Sequence, residues 1–514
     1  MKVFNLDFRE KTSLNLITNI VRTLVMSLIG IFMVPYYVDN LGLASYAIIP
    51  LATTMSSYIQ IISDSIANAS VRYNTLAFDE GDPVNANRTL SSSFFGTFRI
   101  CLLVLPLGIL LAVVSPAIFS ITGSGATEVQ MLFAMVILSS LIVTVSSPFE
   151  GLFYSRNNLY HMFLAKIAYS VGQVAIIILL FIFTEPSLID IGVGYLFSSV
   201  IVFCLLWRFA KRTEPTMQIK KRLYDPSLFK KIGTLGIWTI LSKLGGMLYI
   251  QLSMVLVNLY LGAEMQGSFA IVATVISMMN TACLAISDII DPFIYRSYSE
   301  KKYDELQSIL CTGTKLVTVI IAFPIAFFIV FSPDFLTAWL GSEYSYLSKM
   351  IWIGLLGNIL YCSVAPMIIV PRIYLKMERL TLVTFLIGVI NAAATMLVLG
   401  VYQGNNESAI MVWAICTLAL SVFTIIYNIL ITHANYVKMI LPGEIGYVIL
   451  AVCCPLLTLL RETIDIPPRW IPLIVVFLIV YAVFLFVAYR AFFTKSERAM
   501  VKTLLPQRIS KYLR

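Results

Sequence analysis

Long apolar runs alternate with short polar stretches along almost the whole chain. A helix needs about 20 mostly apolar residues to cross the hydrocarbon core. Fourteen runs meet that length: about 13–38, 43–68, 91–121, 127–153, 160–184, 188–210, 232–261, 266–292, 308–332, 345–371, 380–402, 408–433, 444–460 and 470–493. The pattern predicts an all-α polytopic membrane protein with about 14 transmembrane helices. No connector is long enough to fold as a soluble domain.

The polar connectors sort by charge. One alternating set holds Lys11, Arg72, Arg88, Arg156, Lys211, Arg212, Lys220, Lys221, Arg222, Arg296, Lys301, Arg372, Lys376 and Arg379, and the tail from Lys495 to Arg514 joins it. The other set is nearly free of Lys and Arg and carries Asp39, Glu185, Asp190, Glu264, Asp334, Glu343 and Glu407, with Lys349, Arg461 and Arg469 as the clear exceptions. Lys and Arg in short loops mark the cytoplasmic side. Both termini are therefore expected there, in a plasma (inner) membrane, which requires an even number of spans. The longest connector is basic and carries Pro215 and Pro226, so it reads as a link between two lobes or as a surface helix on anionic lipid. The expected division is an N-lobe over 1–212, a linker over 213–231, a C-lobe over 232–434, and two further helices with a basic tail over 435–514.

Composition agrees: of 514 residues, 59% are hydrophobic and 12% charged, and mean hydropathy is +0.89. A soluble domain carries about 25% charged residues. The net charge of +9 is spread over loops rather than gathered in one patch, which argues against nucleic acid as a partner. The eight cysteines lie mainly in apolar runs without metal-ligand spacing, so no metal site or disulfide framework is expected. Two histidines, no catalytic constellation and no phosphate-cradling glycine loop point away from an enzyme, and no cofactor is implied.

The two halves repeat. Leu41-Gly42 precedes Tyr46-Ala47-Ile48, and Leu261-Gly262 precedes Phe269-Ala270-Ile271. Ile62-Ser63-Asp64 matches Ile286-Ser287-Asp288, with Arg72 and Arg296 each eight residues beyond the aspartate. Pro106 and Ser115-Pro116 match Pro324 and Ser332-Pro333; Gly123 matches Gly341, and Pro148 matches Pro366. Each copy has six spans, so both enter the membrane from one side, as in parallel-repeat transporters whose substrate site lies between the lobes.

Ionisable groups inside spans are expensive and mark functional candidates. Asn15, Asn19 and Arg22 share one face of the first span, with Arg22 about 13–15 Å from its start. Trp238, Ser242 and Lys243 stand at the matching place in the seventh span. Two cations facing one cleft would make an anion site, for which the Arg fork suits phosphate; the competing reading is a snorkelling or internally paired cation. Asp64 and Asp288 can bind a coupling cation (proton or sodium), or pair structurally with Arg72 and Arg296. Arg99 and Lys315, also repeat-related, either widen a basic entrance or snorkel.

Asn19-x-x-Arg22, Pro35, Leu41-Gly42, the aromatic-Ala-Ile opening of the second span, the Ser-Pro and Gly pattern after the third, the basic connector and the two extra helices together resemble one family. The chain is similar to the polysaccharide-exporter branch of the multidrug/oligosaccharidyl-lipid/polysaccharide (MOP) superfamily, of the O-antigen and teichoic-acid repeat-unit flippase (Wzx) type. The resemblance implies two six-helix lobes working by alternating access. It implies a lipid-linked oligosaccharide, on a polyprenyl diphosphate in membrane lipid, flipped from the cytoplasmic to the outer leaflet for surface polysaccharide biosynthesis. It maps diphosphate binding onto Arg22 and Lys243, and it leaves room for association with polysaccharide polymerase machinery. Many relatives of this kind carry an acidic residue in the middle of the seventh span where this chain has Gln251, which argues against simple proton coupling there. The alternative reading is a cation-coupled drug or metabolite exporter of the multidrug and toxin extrusion (MATE) type, usually of twelve spans.

Overall fold

The computed structural model describes residues 8–79, 83–121, 123–374, 376–432, 436–464 and 466–504; within them some side chains, among them those of 62–64, 67–79, 232–239, 242, 288–289 and 436–443, lie outside the description. The described residues are nearly all helical, with no strand among them. Among the described residues, eleven helices are long and apolar enough to cross a membrane, or twelve when the bent pair Ser342–Ser363 and Ala365–Ile373 counts as one span. The count of fourteen adds two regions that fall outside that test. One is α2 (Leu43–Asp79), following α1 (Phe8–Leu41); the other is the broken pair α8 (Pro226–Met247) and α9 (Ile250–Leu261).

The chain packs as two units. The first holds residues 1–247 and 257–270, the second 248–256 and 271–514. The division therefore falls inside the expected seventh span rather than at the basic connector. In the first unit, α3 (Pro83–Ile118) packs on both α2 and α4 (Ala126–Val145), α5 (Ser147–Ser155) packs mainly on α2, α7 (Leu188–Thr213) packs on α4, and α6 (Leu159–Phe183) lies between α7 and α1. Phe149, Leu152, Phe153 and Leu206 are fully buried there. In the second unit, α10 (Ala263–Ser299), from residue 271 onward, joins α11 (Tyr303–Trp339), α12 (Ser348–Ser363), the short α13 (Val370–Ile373), α14 (Met377–Gly400), α15 (Asn406–Thr432), α16 (Tyr436–Thr463), α17 (Trp470–Phe492) and α18 (Lys495–Leu504). There α11 is central, packing on α12, α16, α17 and α18.

The repeat recurs in the backbone. Among the described residues the glycines with positive φ are Gly42 (79°), Gly123 (84°), Gly262 (89°) and Gly341 (113°), which are the two repeat-related pairs. Side chains resist that region of φ, so a glycine is needed where a helix must reverse tightly. The paired prolines recur as helix breaks: α4 stops at Ser146 beside Pro148, and α12 stops at Ser363 before a 3-10 turn containing Pro366.

The basic connector is neither a free tether nor a surface helix. It runs as an irregular strap with one short 3-10 turn (Lys221–Leu223), bonded along α3. Asn87 donates to the Thr216 carbonyl and accepts from the Gln218 N–H; Ser91 donates to the Gln218 carbonyl and accepts from the Lys220 N–H; Ser92 accepts from the Asp225 N–H. Asp225 then opens α8 as an N-cap, accepting from the Ser227 and Leu228 N–H groups, and pairs with Arg88. The Ser227 hydroxyl first, then these backbone donors and Arg88, hold its carboxyl down at about 2.

Candidate functional site

In α1 the polar stripe divides by role. Asn15 is structural: its Nδ2 donates to the carbonyl and Oδ1 of Asn157, 3.2 and 2.8 Å away, and its Oδ1 accepts from the Tyr160 N–H at 2.8 Å. Asn157 has φ of 52°, so Asn15 clasps the tight turn that joins α5 to α6. One turn on, Asn19 buries its Oδ1 with no hydrogen-bond partner among the described residues. Arg22, half-buried, lays its guanidinium over the Phe163 ring of α6, 5.2 Å from the centroid. A guanidinium over an aromatic face gains a cation–π attraction, which helps to hold this charge inside the span.

Lys243 lies half-buried on α8, which packs against α2 and α3 in the first unit. Arg22 and Lys243 are thus carried by the same unit, where the sequence had suggested opposite lobes. Trp238, Asp64 and Asp288 lie on α8, α2 and α10, but their side chains are outside the described residues, as are those of Arg72 and Arg296.

The other two cations have local partners. Arg99 is exposed and stacks on Tyr224 of the strap, 4.3 Å from the ring centroid. Lys315 on α11 is largely buried and pairs with both carboxylate oxygens of Glu497 on α18, at 2.9 and 3.1 Å, with Phe493 beside it. Glu497 also closes a capping box with Thr494 at the start of α18. The Thr494-x-x-Glu497 spacing was visible in the sequence; its pairing with a cation 182 residues away was not.

The break in the seventh span was missed too. Between α8 and α9, Leu248 and Tyr249 leave the helix without a proline, just after Gly245-Gly246. Asn391 of α14, fully buried, donates to the Leu248 and Tyr249 carbonyls and to Ser253 Oγ, each at 3.1 Å. Ser253 donates to the Tyr249 carbonyl at 2.6 Å. Two residues beyond the break, Gln251 buries its Oε1 without a hydrogen-bond partner among the described residues. Broken helices at mid-span are a recurrent way for transporters to expose polar backbone.

The second unit also carries an apolar groove of about 390 Å³ between α11, α16 and α17. Phe323, Val448, Val452, Leu456, Val483 and Val487 are among its lining, which contains no polar side chain except the thiol of Cys453.

The sequence profile described as "Polysaccharide biosynthesis protein" matches residues 14–294, more than half of the chain. The chain belongs to that family. A relative in Bacillus subtilis (strain 168), the uncharacterized membrane protein EpsK, is 24% identical over 508 residues, which is 96% of this chain and 97% of EpsK. Among solved structures, the lipid II flippase MurJ in an inward closed conformation aligns with a TM-score of 0.66 at 13% identity, covering 94% of this chain and 98% of MurJ. An inward-facing multidrug resistance MATE family transporter of the MOP superfamily also reaches 0.66 at 13% identity, covering 80% of this chain and 94% of its own. This member of the polysaccharide biosynthesis family is therefore a multi-pass membrane protein with the fold of MOP transporters.

Proposed function

We propose that this protein is an alternating-access flippase that moves an oligosaccharide on a polyprenyl diphosphate from the cytoplasmic to the outer leaflet of the plasma membrane. The observation that carries this reading is the apolar groove built with α16 and α17. An isoprenoid chain needs a long surface without polar groups, and a small organic cation does not. Both termini lie on the cytoplasmic side in this reading, in line with the loop charges.

The diphosphate is assigned to Arg22, assisted by Asn19 and Lys243, with Trp238 as a further candidate from the sequence. Arg22 supplies paired donors and charge at depth, where a desolvated diphosphate needs both. Lys315 and Arg99, engaged by Glu497 and Tyr224, take a secondary part at most. Asp64 and Asp288 stand as the candidates for cation coupling.

The test is flipping of a polyprenyl-diphosphate glycan in proteoliposomes. A charge-assisted hydrogen bond contributes about 1.5–3 kcal/mol, so Arg22→Ala should weaken binding by about one to two orders of magnitude and abolish flipping, while Arg22→Lys keeps part of it. A folded Arg22→Ala, Lys243→Ala protein that flips at the normal rate sinks the site. Efflux of organic cations by the same vesicles, with no glycolipid movement, would favour the multidrug reading instead.

A further inference from the structure

Where α13 turns into α14, the second unit has a pocket of about 310 Å³ that shares no lining residue with the apolar groove and is built from helices other than those that carry Arg22 and Lys243. It is lined by Lys376, Glu378 and Arg379 at the start of α14 and by Tyr427, Leu430 and Ile431 near the end of α15. Lys376 and Arg379 are exposed, and among the described residues neither has an ion-pair partner. The pocket is held in shape: Tyr427 donates its hydroxyl to the Lys376 carbonyl at 2.7 Å, and the Lys376 N–H donates to the Pro371 carbonyl at 2.8 Å. Even with Glu378 on its rim the pocket carries a net positive charge. It also belongs to a loop of the basic set, the one that charge bias assigns to the cytoplasmic side.

The helices beyond the pocket decide what kind of anion suits it. Leu382, Leu386 and Ile390 on α14 recur every four residues, and all are exposed. Val422, Ile426 and Leu430 on α15 do the same. Positions four apart lie on one helical face. The two helices pack together and are joined by the short loop after Gly400, so they run antiparallel. Two bare apolar ridges therefore lead away from the basic pocket, one along each helix. A soluble anion has no use for them, whereas a phospholipid has a phosphate for the pocket and acyl chains for the ridges.

We propose that this pocket is a binding site for the phosphate-bearing headgroup of an anionic phospholipid of the cytoplasmic leaflet, with its chains along α14 and α15. Basic pockets between spans on that side suit such headgroups. The site is separate from the transport reading above and does not depend on it.

The experiment uses the full chain in nanodiscs, with a quenched-fluorescence or native-mass readout of bound phosphatidylglycerol against a phosphatidylcholine background. The unmodified protein should retain phosphatidylglycerol preferentially. Lys376→Gln, Arg379→Gln should lower its apparent affinity by about 10-fold to 30-fold, since each cation at such a surface contributes about 1 kcal/mol, a factor of about five. Lys376→Arg, Arg379→Lys should hold within about 3-fold, and Glu378→Gln should tighten binding. Lys221→Gln, Arg222→Gln, which removes two strap cations, should leave it unchanged. Glycerol 1-phosphate at millimolar concentration should fail to compete. Equal retention by the Lys376→Gln, Arg379→Gln protein overturns the proposal. So does an equal loss in the strap variant, which would reduce the effect to bulk charge. Effective competition by glycerol 1-phosphate would make the site one for soluble phosphate and overturn the lipid assignment.

Discussion

Asn391 offers the sharpest test of how the seventh span is built. Its single amide nitrogen serves three acceptors at the break between α8 and α9, and all three distances are 3.1 Å. Two hydrogens cannot make three full bonds, so the arrangement counts as about two. The Tyr249 carbonyl keeps Ser253 as a donor when Asn391 is removed; the Leu248 carbonyl loses its side-chain donor. A neutral hydrogen bond nets about 0.5–1.5 kcal/mol, and an orphaned buried acceptor costs about 1–3 kcal/mol. Interhelical bonds measured inside membranes average nearer 0.6 kcal/mol. Asn391→Ala should therefore destabilise the protein by about 2 kcal/mol. Ser253→Ala should cost about half as much, because the Asn391 amide still reaches both carbonyls. Because the two residues share one network, their effects should not add. Equilibrium unfolding in mixed micelles gives the stabilities, and amide exchange at Ile250 and Gln251 reports whether the break loosens. An Asn391→Ala protein within about 0.5 kcal/mol of the parent, with unchanged exchange there, would refute this account of the break.

Other expectations follow from single features. Gly42→Ala meets no atom within 4 Å, so its cost is the backbone alone, about 1–2 kcal/mol for φ of 79°; Gly246→Ala, equally open but with no positive φ, should be neutral or stabilising, and thermal unfolding of the pair separates the two effects. Burial pushes the Glu497 carboxyl up, but the Thr494 N–H and Lys315 outweigh it and leave it below its ordinary value. The contribution of a lowered carboxylate is present above its unfolded pKa and lost as pH falls through the folded one. Acidification below the ordinary glutamate range should thus release α18, and Glu497→Gln should do so at neutral pH; amide exchange in α18 that is unchanged by either would count against the pairing as its anchor. For topology, single cysteines at positions 407 and 220 in a cysteine-free background should label from outside and from inside respectively with an impermeant reagent.

Much of the fold was legible because it rests on local demands. Gly42 and Gly262 could be paired by eye since each ends a helix where only glycine turns cheaply, and Pro148 with Pro366 since each interrupts a ladder of backbone bonds. The polar face of α1 was legible as well, but not its division of labour. Nothing in the spacing of Asn15 and Asn19 tells that the first clasps a turn 142 residues away while the second keeps a bare oxygen. The same limit hid the break at Leu248, whose stabilising residue is on α14, and the neutralisation of Lys315 by α18. In each case the missing information was the identity of a distant partner, which periodicity does not encode. Gly96 makes the point in packing: a Cβ there would come within 2.3 Å of the Phe229 ring, so this glycine is a socket for a side chain that no local pattern connects to it.

The strap along α3 has a practical consequence for anyone who wants to cut or extend this protein. A basic, proline-containing connector between two homologous halves looks like the natural place for a protease site, a fusion partner or a split. Here its main chain is sewn to Asn87, Ser91 and Ser92, and its far end starts α8. An insertion would have to tear those bonds before it reached water, and a split would strand α8 from the helices it packs on. The exposed turn at Tyr402 and Gln403, between α14 and α15, is the better site for a tag.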